Sequence, residues 1–335
     1  LDYFDLYRKF TYTAQESYRL DHIAYIELGE RKDGNPYETF RDWYTNDYQS
    51  FIEYNITDVE LVDKLEDKMK LIELCLTMAY EAKVNYTDVY SQVRCWDTII
   101  YNHLLKKNII IPPREDHDKD TQYEGAYVKD PQLGLHNWIV SFDLNSLYPH
   151  LIMQYNLSPE TLVGVQPKNM GVENYLNEKF NLQWARDKNV TVAPNGSMYR
   201  RDKQGFLPEL MEKMYGDRVV FKKKTIEAKK EFQKTKDPIY KNEISRCNNI
   251  QMAKKIALNS AYGAIGNQYF RYFDVRIAEA ITLGGQLSIR WVERDVNKFM
   301  NKLLNTDNVN YVVASDTDSI YLKLDKLVEK VCKDK

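Results

Sequence analysis

The alternation of apolar and polar positions predicts a β-hairpin and a separate strand, each of which meets an acidic residue. Residues 311–322 contain two apolar, β-branched runs on either side of Asp316-Thr317-Asp318, the pattern of two strands joined at a polar bend. A further apolar run, residues 138–142, leads into Asp143 and a polar connection that Pro149 closes. The chain therefore carries carboxylates at the ends of strands that are far apart in sequence.

Helical periodicity dominates the rest of the chain. Apolar residues from Val62 to Leu76 predict one long helix with a single buried face. Residues 207–266 predict two helices broken near Pro238, and Pro194-Asn195-Gly196 indicates the turn of a short hairpin. Residues 276–304 predict another helix, whose apolar side chains we expect to pack under the sheet. These side chains are Ile277, Ile281, Leu287, Trp291, Phe299 and Leu303.

Composition is typical of a soluble globular protein with two or three domains. Of the 335 residues, 43% are hydrophobic and 29% are charged, which suits packed cores rather than disorder. No apolar run approaches the ~20 residues of a membrane span, and no signal-peptide pattern opens the chain. The four cysteines are scattered, so we expect neither a zinc site nor a disulfide framework, and a reducing cytosol is the expected compartment.

The net charge of −2 conceals a basic segment. Residues 200–255 hold 16 Lys and Arg against 8 Asp and Glu, whereas the remainder of the chain is acidic. A local surplus of cations can bind phosphate even when the whole protein is slightly acidic. A charged helical face is also commonly just a solvated face, so this pattern alone leaves both interpretations open.

The acidic residues at the strand ends indicate a metal site. Asp316 and Asp318 can share one side of the hairpin, because side chains alternate along a strand. Carboxylates held together repel each other, and a divalent cation relieves that repulsion. Each acidic run alone is equally typical of caps and turns, but Asp143 adds a third carboxylate from a distant strand. Three such groups are the parts of a site for two Mg²⁺ ions roughly 3.5–4 Å apart.

Three segments resemble the motifs of family B DNA polymerases, and they occur in the order of that family. Residues 141–149 (SFDLNSLYP) resemble motif A, residues 255–263 (KIALNSAYG) motif B and residues 316–319 (DTDS) motif C. The likeness is strongest to the replicative polymerases of T-even-type bacteriophages, and it extends to residues 1–6, 54–58 and 267–272. The resemblance implies an α+β fold in which an antiparallel palm sheet is backed by helices and a helical hairpin forms the fingers. It also implies that the C-terminal part of a ribonuclease H-like 3′–5′ exonuclease domain precedes the palm.

The resemblance further implies a division of the chain. The expected segments are the end of the exonuclease domain (1–70), a helical linker of the N-terminal domain (71–115), the palm with motif A (116–206), the fingers with motif B (207–266) and the rest of the palm with motif C (267–335). The thumb and the upstream half of the exonuclease domain are not expected in this chain. We therefore interpret it as a fragment or as one half of a split polymerase.

A remnant of the exonuclease is expected near the start of the chain. Tyr54 and Asp58 match the third exonuclease motif of the family, in which the Tyr positions a water and the Asp holds a metal. A nuclease needs further carboxylates from motifs upstream, so this chain is not expected to proofread by itself. Residues 123–128 resemble a family segment that lies near the template.

The predicted fingers carry a set of phosphate ligands. Arg218 and Lys222 are four residues apart and share one face of the first helix. Lys255 and Asn259 have the same spacing on the second helix, and Tyr262 follows three residues later. Two helices of a hairpin can converge on one anion, and three cations with one amide donor suit a triphosphate. Lys255 is also expected to act as the general acid for the leaving diphosphate.

The resemblance assigns the metal ligands and the reaction. Asp143 and Asp318 are expected to bind both Mg²⁺ ions, which Mn²⁺ can replace, with Asp316 in a supporting role and the Leu144 carbonyl completing a metal shell. The reaction implied is attack of a primer 3′-hydroxyl on a dNTP, directed by a DNA template.

The resemblance also assigns contacts to the incoming nucleotide. The backbone N–H groups of Ser146 and Leu147 are expected to bind triphosphate oxygens. The ring of Tyr148 is expected to lie under the sugar and exclude a 2′-hydroxyl, and Tyr262 is expected to pack against the nascent base pair.

Two positions depart from the family pattern. Ala314-Ser315 stands where Tyr-Gly commonly precedes motif C, and His150 stands where a small residue, often Ser, is usual. Losing the Gly is expected to restrict the approach of the primer terminus to the hairpin.

The implied partners are primer–template DNA, dNTPs, a sliding clamp and other replisome proteins, with a separate chain if the enzyme is split. No membrane partner is expected, and for a phage protein the compartment is the host cytoplasm. The alternative is a polymerase-like DNA-binding piece that is inactive without its partner. A standalone nuclease lacks the other acids, and an RNA polymerase or reverse transcriptase is disfavoured by Tyr148.

Overall fold

The computed structural model describes residues 1–11, 13–115, 122–166, 170–179 and 181–332. Within these ranges the chain forms thirteen α-helices and seven β-strands. The helices are α1 Tyr3–Phe10, α2 Leu20–Leu28, α3 Phe40–Asn46, α4 Tyr48–Met69, α5 Leu71–Ala82, α6 Gln92–Leu105, α7 Leu147–Tyr155, α8 Val172–Leu176, α9 Gln183–Asp187, α10 Phe206–Thr235, α11 Pro238–Ile265, α12 Val275–Leu304 and α13 Asp325–Cys332. The strands are β1 Val128–Lys129, β2 Ile139–Asp143, β3 Leu162–Val165, β4 Val190–Val192, β5 Ser197–Arg200, β6 Val312–Asp316 and β7 Ser319–Lys323. The predicted α+β class is confirmed.

Four strands form an antiparallel sheet in the order β1-β6-β7-β2. Strands β6 and β7 are the hairpin predicted around the acidic bend, and β2 is the strand predicted to end at Asp143. The central strands are mostly buried, with Val312, Ile320 and Leu322 in one apolar cluster. In β2, by contrast, all five residues are exposed, and the strand order makes β2 one of the two edges of this sheet.

Helix α12 supplies the apolar support beneath the hairpin. It is capped at its start by Asp274, whose side chain accepts a hydrogen bond from the N–H of Arg276, and it ends at Asn305 in a left-handed conformation. Ile289 and Met300 pack into the cluster that contains the hairpin residues. The predicted location of this helix, under the sheet, is therefore confirmed.

The apolar face of α12 is only half buried, however. Ile277, Ile281 and Leu287 are buried as predicted, but Trp291, Phe299 and Leu303 are 50%, 63% and 39% exposed. The prediction that these last three side chains belong to the core is wrong. Periodicity identifies a face of a helix, but it does not tell how far along the helix that face is covered.

A second, three-stranded sheet has the order β3-β5-β4. Its β4–β5 hairpin turns at the predicted Pro194-Asn195-Gly196, where Gly196 adopts a positive φ of 84°. The predicted palm segment that contains this sheet starts at residue 116, and residues 116–121 lie outside the described ranges.

The predicted helix through residues 62–76 is two helices. Helix α4 ends at Met69, Lys70 takes a left-handed conformation with φ 56°, and α5 begins at Leu71. The Glu66 carboxylate accepts a hydrogen bond from the N–H of Ile72 at 3.0 Å and so caps the second helix. The prediction of one continuous helix is wrong because a side-chain cap, without Gly or Pro, ends it.

Helices α10 and α11 are the two long helices predicted for residues 207–266. They contain 30 and 28 residues, and they are separated by Lys236 and Asp237 immediately before Pro238. Proline is favoured at the first position of a helix because its missing N–H is not needed there. The predicted break is confirmed.

The chain divides into two compact units. The first contains residues within Leu1–Thr98 and Asp217–Lys254, and the second contains residues within Ile99–Gly216 and Lys255–Lys335. The second unit includes both sheets, α7 and α12. Among the helices that the structure describes, none combines the length and the apolar character needed to cross a lipid bilayer.

Candidate active site

Two of the predicted metal ligands lie at adjoining strand ends of the four-stranded sheet. Asp143 is the last residue of β2 and pairs in register with Ser319, the first residue of β7. Asp318 immediately precedes Ser319, and its carbonyl accepts a hydrogen bond from the N–H of Leu144 at 2.7 Å. The backbone therefore joins the Asp143-Leu144 segment directly to the acidic turn.

The electrostatics of Asp318 reflect this crowding. Partial burial raises the pKa of its carboxyl above the ordinary value, and the negative charges of Asp143 and then Asp316 raise it further, against a lowering by a backbone hydrogen bond. A carboxylate that is costly to ionise beside another carboxylate gains from a bound cation. Asp143 and Asp318 are therefore the side chains suited to hold a metal here.

The remaining ligands of a metal must come from elsewhere. Among the residues that the structure describes, no group of three or more His, Cys, Asp and Glu side chains is close enough together to hold a metal ion. Asp316 is exposed at the end of β6, where its carboxylate accepts a hydrogen bond from the Thr317 hydroxyl at 2.9 Å. Mg²⁺ commonly binds through one or two carboxylates together with substrate phosphates and water, and two carboxylates with a carbonyl are consistent with that mode.

The acidic turn has a defined backbone conformation. Thr317 has a positive φ of 50°, and its N–H donates to the Tyr127 carbonyl at 3.0 Å. Residue Ser315, which replaces the usual Gly, is only 2% exposed. Its side chain is therefore buried inside the protein.

The turn after β2 leads into α7 and carries the predicted nucleotide contacts. Ser146 precedes the helix in a left-handed conformation with φ 55°, and Leu147 and Tyr148 form the first helical turn. A Cβ atom on Gly285 of α12 would lie 2.9 Å from Cε1 of Tyr148 and 3.6 Å from Cδ2 of Leu147. Only glycine allows α12 to approach this turn so closely.

Three tyrosines contact one another in the unit that contains Asp143 and Asp318. The rings of Tyr148 and Tyr262 are 4.8 Å apart with a 59° tilt, and the hydroxyls of Tyr262 and Tyr123 are 3.2 Å apart. Burial raises the pKa of Tyr148, and the charge of Asp318 adds to that rise. Burial, followed by the hydrogen bond to Tyr123, also raises the pKa of Tyr262. Each phenol therefore stays neutral near pH 7.

Lys255, Asn259 and Tyr262 lie along α11 at the predicted helical spacing, so they share one face of that helix. The side chain of Asn259 is exposed, and Lys255 and Tyr262 are partly buried. Lys255, Asn259 and Tyr262 belong to the same compact unit as Asp143 and Asp318.

Arg218 and Lys222 lie on α10, again four residues apart on one helical face, and they belong to the first compact unit. Their roles, like those of all the site residues named from the sequence, remain predictions.

Lys254 is a residue that sequence analysis did not single out. Its side chain is 11% exposed, and its ammonium group lies 2.8 Å from a Glu81 carboxylate oxygen and 3.2 Å from one of Asp217. Glu81 is on α5, Asp217 on α10 and Lys254 on α11. This cation therefore connects three helices within the first unit.

The predicted exonuclease remnant includes a side-chain contact that the sequence did not reveal. Tyr54 and Asp58 lie on α4, and the ammonium group of Lys32 is 2.7 Å from Asp58 Oδ2 and 4.7 Å from the centroid of the Tyr54 ring. Burial disfavours the charge of Lys32, but hydrogen bonds with Asp58 and Tyr54 outweigh burial and raise its pKa. The second oxygen, Asp58 Oδ1, is buried and has no hydrogen-bond partner within the described part of the chain.

An antiparallel sheet with carboxylates at adjoining strand ends, supported by a long helix, is the arrangement that the sequence predicted for a polymerase palm. A family B DNA polymerase from the hyperthermophilic archaeon Pyrobaculum calidifontis has a similar fold, with a TM-score of 0.64 and 23% identity over 94% of this chain and 38% of the archaeal chain. At that level of identity the similarity concerns the fold alone.

Sequence comparison gives the family. Residues 84–333 match the model for DNA polymerase family B. The DNA-directed DNA polymerases of Escherichia phage RB69 and Enterobacteria phage T4 are 34% and 35% identical over 99% of this chain. The DNA polymerase delta catalytic subunit of Drosophila melanogaster is 27% identical over 91% of this chain and 27% of its own length. The chain therefore belongs to DNA polymerase family B, as its motifs predicted, and it spans about two fifths of the length of the two phage relatives (40% and 41%).

Proposed function

We propose that this chain comprises the end of the exonuclease domain, the palm and the fingers of a DNA-templated DNA polymerase that acts in phage DNA replication. It catalyses nucleotidyl transfer from a dNTP to a primer 3′-hydroxyl. The observation that carries the proposal is the pair Asp143 and Asp318 at adjoining strand ends, with the Tyr148 and Tyr262 rings packed together in the same unit. The similarity to the phage enzymes supports it.

Asp143 and Asp318 hold the divalent metals, with the Leu144 carbonyl as a further ligand and Asp316 in support. The raised pKa of Asp318 beside Asp143 supports a cation at this position, and hard oxygen donors suit Mg²⁺ or Mn²⁺. When bound, two such ions activate the attacking oxygen and neutralise charge on the leaving group. The protein contributes the fixed direction of the carboxylates, which the β2–β7 pairing supplies.

The fingers residues bind the triphosphate. Arg218, Lys222 and Lys255 supply positive charge and Asn259 supplies an amide donor, while Lys255 also donates a proton to the leaving diphosphate. Phosphoryl transfer requires positioning and charge neutralisation more than covalent participation by protein groups. The repeated four-residue spacing on α10 and α11 supports a shared role of each pair.

The turn before α7 and the adjacent tyrosines select the nucleotide. The N–H groups of Ser146 and Leu147 bind phosphate oxygens, and the ring of Tyr148 stands against the 2′ position of the sugar. Tyr262 packs against the new base pair. An apolar pocket alone rejects an added hydroxyl by only about 10²-fold, so a ring held in place by Gly285 and Tyr262 is a useful addition.

In this proposal the chain has five segments: the end of the exonuclease domain (1–70), a linker (71–115), the palm (116–206), the fingers (207–266) and the rest of the palm (267–335). Tyr54 and Asp58 belong to the exonuclease site. Primer–template DNA and dNTPs are the substrates, and a sliding clamp and other replisome proteins are the partners, in the cytoplasm of the host cell.

Replacement of Asp318 by Asn tests the proposal. Primer extension with Mg²⁺ is measured for the wild-type chain, for Asp318→Asn and for the control Asp307→Asn, which changes an exposed aspartate of the same unit. We expect Asp318→Asn to abolish extension while a gel shift shows unchanged binding of primer–template DNA, because binding depends mainly on phosphate contacts. We expect Asp307→Asn to leave both unchanged.

The same extension assay tells whether the chain is active by itself or only together with a second polypeptide. Extension by the chain alone identifies it as sufficient, whereas DNA binding with extension only after addition of the remaining polymerase polypeptide identifies one half of a split enzyme. Full extension by Asp318→Asn in the active form would refute the assignment of the metal site.

A further inference from the structure

His150 makes an unusual double contact with the turn that precedes α7. Its backbone N–H donates to the Ser146 carbonyl at 3.1 Å, as expected for the first turn of a helix. Its ring atom Nδ1 lies 2.9 Å from the same carbonyl oxygen. Because a carbonyl oxygen can only accept, Nδ1 must carry the proton, and this contact fixes the tautomer of the ring.

The two donors hold the peptide unit that ends in the Leu147 N–H. Ser146 has a φ of 55°, a left-handed conformation that a residue with a Cβ adopts only when its surroundings hold it. The Ser146 carbonyl and the Leu147 N–H belong to one planar trans peptide unit, so they point in opposite directions. Fixing the carbonyl toward His150 therefore fixes the direction of the Leu147 N–H.

The imidazole is itself held in place by a neighbouring helix. Its ring centroid is 4.7 Å from that of Tyr215 on α10, and the two rings meet edge to face at 80°. Such a pair restricts the rotation of both rings. His150 and Tyr215 belong to the same compact unit, and both side chains are only partly exposed.

We infer that His150 is a positioning residue for the incoming nucleotide: its Nδ1–H orients the Ser146-Leu147 peptide so that the Leu147 N–H faces a triphosphate oxygen. This role rests on the proposed function, because the triphosphate is the ligand of that N–H. It also explains how this chain accommodates a histidine where a small residue, often Ser, is usual. A serine hydroxyl can donate to the carbonyl four residues earlier, and the histidine provides the same donor.

Two variants separate the hydrogen bond from the bulk of the ring. His150→Leu removes the donor, whereas His150→Asn keeps an N–H on the atom attached to Cγ, where Nδ1 stands. Binding of dTTP is measured by fluorescence of a 2-aminopurine in a primer–template whose primer ends in a dideoxynucleotide, with Mg²⁺ present and no turnover possible. A net loss of one neutral hydrogen bond predicts that the Kd for dTTP rises about three- to tenfold in His150→Leu. In His150→Asn we expect it to stay within about twofold of the wild-type value.

The outcomes are distinct. Equal dTTP affinity in the wild type and His150→Leu, or equal weakening in His150→Leu and His150→Asn, would overturn the role of His150 while leaving the proposed function intact. Absence of dTTP binding by the wild type, in the active form that the extension assay identifies, would overturn the proposed function and this role with it. Unchanged primer–template binding and an unchanged far-UV circular dichroism spectrum are expected in both variants, because neither contact belongs to the core of the sheet.

A second measurement does not depend on the nucleotide. Long-range ¹H–¹⁵N correlation spectra of the histidine rings report which ring nitrogen carries the proton. We expect the Nδ1–H tautomer of His150 in the wild type, assigned by the loss of its signals in His150→Leu. A neutral ring protonated at Nε2 would contradict the inference.

Discussion

Gly285→Ala is a sharp test of how the site holds Tyr148. A methyl group at this position would stand 2.9 Å from Cε1 and 3.7 Å from Cδ1 of the Tyr148 ring. Carbon atoms in favourable contact are about 3.5–4.0 Å apart, so the ring or α12 must move by roughly 0.6–1 Å. Overpacking of this kind costs about 1–3 kcal/mol, and a displacement of about 1 Å at a reacting centre can reduce a rate by about 10²-fold.

The neighbouring glycine provides a matched control. A Cβ on Gly284 would meet Leu151 at 3.4 Å and Tyr155 at 3.5 Å, which are ordinary contacts. Both glycines are buried in α12, so each alanine brings the same gain in helix propensity, about 1 kcal/mol. The difference between the two variants therefore isolates the contact with Tyr148.

The assay is single-nucleotide incorporation with dNTP and with the matching ribonucleotide, together with urea denaturation. We expect kcat/KM for the dNTP to fall about 10- to 100-fold in Gly285→Ala and less than about threefold in Gly284→Ala. We also expect the free energy of unfolding of Gly285→Ala to be lower than that of Gly284→Ala by about 1–3 kcal/mol, and the preference for dNTP over ribonucleotide to change only in Gly285→Ala. Identical kinetics, selectivity and stability in the two variants would refute the argument that Gly285 sets the position of Tyr148.

Two further predictions concern stability. Lys254→Met should lower the free energy of unfolding by about 1–2 kcal/mol, because the carboxylates of Glu81 and Asp217 lose their cation. These two side chains are 41% and 43% exposed, so solvent screening keeps the loss of stability small. Urea denaturation beside the exposed control Lys223→Met checks this, and equal stability of the two variants would contradict it. Mg²⁺ should raise the Tm of the wild type in thermal scans. Asp318→Asn should raise the Tm measured without metal, because it removes the repulsion between the carboxylates of Asp318 and Asp143, and it should reduce the rise in Tm that Mg²⁺ causes. An equal Mg²⁺-dependent rise in the wild type and the variant would place the metal elsewhere.

The parts of the fold that the sequence predicts are those with a local physical cause. The acidic hairpin follows from β-branched residues on either side of a polar bend, and the break at Pro238 follows from a residue that lacks an N–H. The break at Lys70 has a cause that pattern analysis does not detect. The Glu66 carboxylate caps the N–H of Ile72, but most glutamates in helices cap nothing, so the sequence alone does not identify this one as a cap. The exposure of Trp291 is likewise invisible in the sequence, because it depends on what lies over that end of α12.

In the candidate site, too, some residues can be predicted from local sequence and others depend on contacts between distant parts of the chain. The acids, the basic helix faces and Tyr148 could be named from motifs, because reaction chemistry limits which residue types can occupy those positions. Gly285 and Lys254 could not be named, because each acts through contacts with residues that are distant in sequence. His150 was visible only as a departure from the family pattern, and its meaning depends on one carbonyl oxygen.

The carboxylates and the proposed nucleotide contacts are positioned by different physical means, and this difference should govern the response to substitution. Asp143 is fixed by strand register opposite Ser319, and a slip of one residue would turn the whole strand over, so changes there should remove metal binding in one step. The Leu147 N–H and the Tyr148 ring depend instead on side-chain contacts at one helix end, which can relax by fractions of an ångström. Substitutions at that helix end should therefore shift nucleotide affinity and sugar selection by degrees, while metal binding at the strand ends persists.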